Sequence, residues 1–118
     1  MLTRNLAESM GFAVGDSENA ALAVEEAVSN VIEHAYHGEQ DHKMSVIFQM
    51  ADQKFIVRIL HNGDQPQLTQ LPSDLSNFYK QKKKGGLGII IMKKFMDEIT
   101  FKSGARQNEC RMVKSLKK

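Results

Sequence analysis

Leu22-Ala-Val-Glu-Glu-Ala-Val-Ser-Asn-Val-Ile-Glu-His-Ala-Tyr36 is the stretch from which the fold is read. Its apolar residues recur at helical spacing. With the preceding alanine they form one stripe of Ala20, Val24, Ala27, Val28, Val31 and Ala35. The spacing predicts a long helix over residues 18–37, with Asp16 or Ser17 as N-cap and Gly38 as C-cap. On such a helix Glu26 and Asn30 sit about 40° apart, roughly opposite the centre of the stripe. A solvated face explains any single acid at that pole. A ligand face explains the pair: a glutamate takes a proton from a hydroxyl or water, and a carboxamide oxygen is a hard ligand suited to Mg²⁺. Glu33, His34 and His37 also invite a metal reading, but no second ligand set stands at a zinc spacing.

Moving outward, residues 2–12 read as a short helix stopped by Gly11. Past the long helix, Met44, Val46, Phe48 and Met50 alternate with more polar neighbours. After a turn at residues 51–54, residues 55–60 are apolar except for Arg58. The pair predicts a hairpin with the second strand more buried. His61-Asn62-Gly63-Asp64 reads as the turn that ends it, and a polar segment with Pro66 and Pro72 leads to a short helix over 74–79. A helix over 87–96, apolar on almost every side, predicts burial; strands at 99–102 and 110–116 close the chain. These elements make a single domain over residues 1–118, a two-layer α/β (α+β) sandwich.

Lys84-Gly85-Gly86-Leu87-Gly88 stands at the start of the apolar helix. Glycines let backbone amides approach a phosphate, and a helix N-terminus adds free donors. An ordinary loop-to-helix turn accounts for the segment equally well. It is not a P-loop, because no lysine followed by Ser or Thr comes after the glycines.

Composition narrows the classes. The chain has 118 residues, 42% hydrophobic and 25% charged, with a formal net charge of +2. That is one ordinary globular domain. The longest apolar run, Leu87 to Met92, is interrupted by Gly88 and is far short of the ~20 residues of a membrane span. Cys110 is the only cysteine, which excludes an internal disulfide and fits a reducing cytoplasm. Lys80, Lys82, Lys83 and Lys84 cluster without aromatic platforms, which argues against a nucleic-acid surface.

Taken together, the stretch from Leu22 to Tyr36 resembles the N-box of anti-sigma-factor serine kinases, within the ATPase superfamily of gyrase, Hsp90, histidine kinases and MutL. Gly85-Gly-Leu-Gly-Ile-Ile-Ile-Met-Lys-Lys-Phe-Met-Asp-Glu-Ile99 resembles that family's second glycine box and its helix, and residues 108–116 resemble its last strand. The resemblance covers residues 11–118 and implies a mixed sheet with helices on one face. It implies Glu26 as general base, Asn30 as Mg²⁺ ligand, and Lys84, Gly85, Gly86, Leu87 and Gly88 as the phosphate-facing turn. Residues 65–84 would then be a lid over ATP. It also implies transfer of the γ-phosphoryl of ATP to a serine of an anti-anti-sigma partner, sequestration of a sigma factor, or both.

Two departures qualify it. The first glycine box of the family begins with an aspartate that accepts the adenine amino group. Gly63 fits that box, but His61 stands where the aspartate belongs. A neutral imidazole nitrogen still accepts a hydrogen bond. Secondly, the family's leading strand is missing, as in a truncated chain or the C-terminal part of a larger protein, and an uncovered sheet edge favours a homodimer. The competing expectation is a protein-interaction module of the same fold that binds nucleotide weakly or not at all. A sensor histidine kinase domain is opposed by the short lid and the lack of an upstream phosphoacceptor helix.

Overall fold

The computed structural model describes residues 2–32, 43–62 and 84–116. Among them run α1 (Leu2–Met10), α2 (Val14–Asn30), β1 (Ser45–Ala51), β2 (Lys54–His61), α3 (Lys84–Phe95), β3 (Glu98–Ser103) and β4 (Asn108–Ser115). Glu33, His34, His37, Gly38, Gly63 and the expected helix over 74–79 lie outside the described residues, as does the expected lid apart from Lys84.

The start of α2 departs from expectation. It begins at Val14, with Ala13 as N-cap and no side-chain cap. Ser17 is buried, its amide donates to the Ala13 carbonyl at 2.9 Å, and its hydroxyl has no partner. Ser17 packs in the interior and Asp16 falls in the first turn, where a carboxylate favours the positive end of the helix dipole without capping it. The stop of α1 is as the sequence reads. Gly11 takes φ +114°, its amide donates to Glu8 O at 3.0 Å, and Phe12 N donates to Ala7 O at 3.2 Å. These two bonds form a Schellman cap, which needs a left-handed residue and brings buried Phe12 back over Ala7.

The sheet order is β1-β2-β4-β3. Among the described residues its pairs are all antiparallel, where the resemblance implied a mixed sheet. The reason lies in the connections. Two short turns make the hairpins β1–β2 and β3–β4, and β4 inserts between β2 and β3. Those two strands therefore run in the same direction without touching, joined by a chain that includes α3, a split βαβ arrangement. The first hairpin turns on Asp52 and Gln53, both at positive φ (53° and 62°), between paired Ala51 and Lys54. Two left-handed residues match the twist of the flanking strands. β2 continues through His61, one residue beyond the expected break, because His61 pairs with Asn108 of β4.

Alternation then builds the core. Phe55, Val57 and Ile59 of β2 and Cys110 and Met112 of β4 face Ala20, Ala23, Val24, Ala27 and Val31 of α2. Phe12 meets Phe55 edge-on at 6.3 Å, and Phe48 stacks on it at 6.0 Å. As expected, β2 is the more buried strand of its hairpin; β1 ends the described sheet with Val46 and Met50 exposed. On the other face Arg58 grips Glu109 with two hydrogen bonds, at 2.9 and 3.1 Å. That fork holds the Glu109 carboxyl below its ordinary range.

α3 begins three residues before the expected start, with Gly85 and Gly86 in its first turn. Glycine costs about 1 kcal/mol against alanine in a helix, and burial of Ile89 and Met92 offsets it. Ile90 and Ile91 are half-buried, and Lys93 and Lys94 are exposed, so the helix is not apolar all round. Its end is tied down by charge: buried Lys114 donates from Nζ to Phe95 O at 2.8 Å, a cation at the negative end of the helix dipole. Asp97 then donates its amide to Val113 O at 2.8 Å and accepts Ser115 N on Oδ2 at 2.6 Å. The Met-Asp-Glu ending thus clamps α3 to β4.

Burial pushes the Cys110 thiol up to about 12. We expect no reaction with a disulfide reagent at pH 8 in the folded chain and full reaction in denaturant, because the thiolate is the nucleophile. Rapid labelling of the native chain would show that the sheet opens readily. No described helix is long and apolar enough to cross a membrane.

Candidate functional site

The exposed pole of α2 is Glu18, Leu22, Glu25 and Ser29. Glu26 and Asn30 lie off that pole and are half-buried, on the side that meets α3. A Cβ placed on Gly88 would lie 3.1 Å from Asn30 Oδ1, 3.2 Å from Glu26 Oε1 and 3.4 Å from Asn30 Nδ2. The two oxygen distances are shorter than ordinary carbon–oxygen contact. Only glycine lets the α3 backbone come so close to both polar groups. α3 therefore covers part of that side of α2, and Glu26 and Asn30 do not sit on a fully solvated face.

The carboxamide is tethered as well. Asn30 Nδ2 donates to Met92 Sδ at 3.7 Å. Immediately beyond Asn30, Val31 caps α2, its amide donating to the Ala27 and Val28 carbonyls. Met92 was not singled out by the sequence reading. The available signal was its spacing, one helical turn after Gly88 on the same face of α3.

Lys84, Gly85, Gly86 and Leu87 are the first four residues of α3, directly before Gly88. The first four amides of a helix have no carbonyl within it, and they mark the positive end of the dipole. The N-terminal turn of α3 thus directly precedes the glycine that approaches two side-chain oxygens. The oxygens suit a hard cation such as Mg²⁺, the donors suit phosphate, and the missing Cβ at Gly88 clears the space between α2 and α3. The residues fit both groups.

His61 is the last residue of β2, 3% exposed, on the core-facing side with Phe55, Val57 and Ile59. Glu26, Asn30 and Gly88 come together, and Gly63 lies outside the described residues. No cluster of three or more His, Cys, Asp or Glu able to hold a metal occurs among the described residues. Arg4 is engaged elsewhere, 3.6 Å from Glu8 and 3.9 Å from Glu18 on the outer surface.

Comparison with known proteins gives an independent view. The sequence profile described as a histidine kinase-like ATPase domain matches residues 1–114. Serine-protein kinase RsbW of Bacillus velezensis is 32% identical over 105 residues, covering 85% of this chain and 66% of that protein. The protein of the same name from Bacillus subtilis is 30% identical over 99 residues, 80% of this chain and 62% of that protein. The one from Listeria monocytogenes is 29% identical over 99 residues, with 80% and 63% covered. The chain thus spans just under two thirds of the length of these relatives.

Proposed function

Since the chain belongs to the histidine kinase-like ATPase domain family, we propose that it is an ATP-binding anti-sigma regulatory domain of the cytoplasm. In this reading it transfers the γ-phosphoryl of ATP to a serine of an anti-anti-sigma protein, sequesters a sigma factor, or does both. The observation that carries it is the approach of Gly88 to Glu26 Oε1 and Asn30 Oδ1, with Cβ distances of 3.2 and 3.1 Å.

Each residue then has a task. Backbone amides of Lys84, Gly85, Gly86 and Leu87 hold phosphate oxygens. Gly88 leaves room for the phosphates beside α2. Asn30 Oδ1 holds Mg²⁺, which when bound neutralises phosphate charge. Glu26 accepts the proton of the substrate serine as its oxygen bonds to the γ-phosphorus and the bond to the β-phosphate oxygen breaks, releasing ADP. His61 takes the place of the family's adenine-binding aspartate, with a ring nitrogen as acceptor for the adenine amino group, and Gly63 belongs to the same glycine box.

Thermal melting with Mg-ATP tests nucleotide binding. At about 100 times the dissociation constant, bound ligand adds ~2.7 kcal/mol, a shift of about ten degrees for a domain of this size. No shift at millimolar Mg-ATP rejects the reading for this chain.

A second reading rests on His61. An interaction module of the same fold would have lost the nucleotide when the aspartate was lost. A missing hydrogen bond to a charged group costs about 1.5–3 kcal/mol, roughly 10- to 150-fold in affinity. His61→Asp is expected to tighten Mg-ATP binding within that range, as measured by calorimetry. An unchanged affinity would remove His61 from the base pocket.

A further inference from the structure

We propose that Met92 is a positioning residue: its sulfur sets the carboxamide of Asn30 so that Oδ1, and not Nδ2, is presented to Mg²⁺. The inference rests on the reading of Asn30 as the Mg²⁺ ligand and deepens it. An asparagine amide has two nearly isosteric ends, and only the oxygen coordinates a cation. Something must choose the end. A thioether sulfur carries no hydrogen, so it accepts and never donates. Met92 Sδ receives Asn30 Nδ2 at 3.7 Å. The reversed amide would set Oδ1 against sulfur, two lone-pair groups facing each other, and would turn the NH₂ toward the cation.

Three further observations support a fixed arrangement. Met92 is fully buried in the core, so its sulfur is held in place from all sides. Gly88, one turn earlier on α3, lies against the amide without a Cβ, and Oδ1 is the nearer atom, at 3.1 Å against 3.4 Å for Nδ2 from its Cβ position. Glu26, one turn before Asn30, presents Oε1 at the same glycine. Gly88 and Met92 thus act as a pair: one clears the ligand position and the other orients the ligand.

The bland explanation is that Met92 only fills volume. The experiment separates the two. ATP affinity is measured with and without Mg²⁺ in the unaltered chain and in Met92→Leu, a volume-conserving exchange that cores tolerate. Loss of the acceptor is expected to reduce the enhancement of ATP affinity by Mg²⁺ roughly three- to tenfold, the range of one weak hydrogen bond. Affinity for ATP alone should hold. In an Asn30→Asp background, Met92→Leu should leave the Mg²⁺ enhancement unchanged, because a carboxylate offers oxygen at both ends.

A direct readout needs no nucleotide. In the unaltered nucleotide-free chain, NMR should show one Asn30 side-chain amide proton exchanging more slowly than those of exposed asparagines. Met92→Leu should abolish that protection. Equal losses with and without Mg²⁺, or an Asn30 amide that exchanges freely in the unaltered chain, overturn the proposal. ATP binding that ignores Mg²⁺ in the unaltered chain overturns the ligand reading of Asn30 and this inference with it. Normal Mg²⁺ dependence that Met92→Leu fails to alter overturns this inference alone.

Discussion

Glu26→Ala is expected to lower phosphoryl transfer to a serine substrate by roughly 10²- to 10⁴-fold, the usual contribution of a general base. ATP binding should stay within a few-fold, because the proposed reading assigns phosphate to the α3 amides and the metal to Asn30, not to Glu26. Glu26→Gln, which keeps the shape and removes the basic oxygen, should behave like the alanine variant. The carboxylate is half-buried against α3, so the variants are compared by melting temperature before their rates are compared. Transfer measured with radiolabelled ATP that persists at the unaltered rate would take the base assignment from Glu26.

Gly88→Ala is the second large effect, and it separates binding from stability. The added methyl would meet Asn30 Oδ1 at 3.1 Å and Glu26 Oε1 at 3.2 Å. Both side chains must give way by a few tenths of an ångström. Alanine in a helix interior gains about 0.5–1 kcal/mol over glycine. Strain on the bond from Asn30 to Met92 offsets that gain, since a hydrogen bond contributes about 0.5–1.5 kcal/mol. The melting temperature should therefore move little. Mg-ATP affinity should fall between tenfold and a hundredfold, since misplacement by less than an ångström disturbs both metal and phosphate. Calorimetry that finds Mg-ATP bound as tightly as by the unaltered chain would show that nothing occupies the space beside Gly88.

Much of the architecture was legible from residues 22–36 and 85–99. Period and glycine placement identified α1 with its cap at Gly11, the first hairpin with its more buried second strand, α3, and the closing hairpin. Element limits were less legible. Asp16 and Ser17 have the side chains of N-caps, yet α2 starts at Val14, because packing of Ser17 and Ala20 in the core extends the helix past them. His61 looked like the first residue of a turn, and pairing with Asn108 keeps it in β2. Both errors have one cause: local propensity is a fraction of a kcal/mol per residue, and tertiary pairing or burial exceeds it.

The candidate site divides in the same way. Spacing by itself determined that Glu26 and Asn30 share one side of α2, and that Gly85, Gly86 and Gly88 stand at the start of α3; helical geometry fixes such neighbours within one element. Tertiary structure alone decided that these two sides meet, that Gly88 comes within van der Waals reach of both polar groups, and that Met92 holds the asparagine amide by its nitrogen. The physical reason is that periodicity describes one helix at a time. Which face of α2 meets which face of α3 follows from packing over a sheet formed by residues from the middle and the end of the chain.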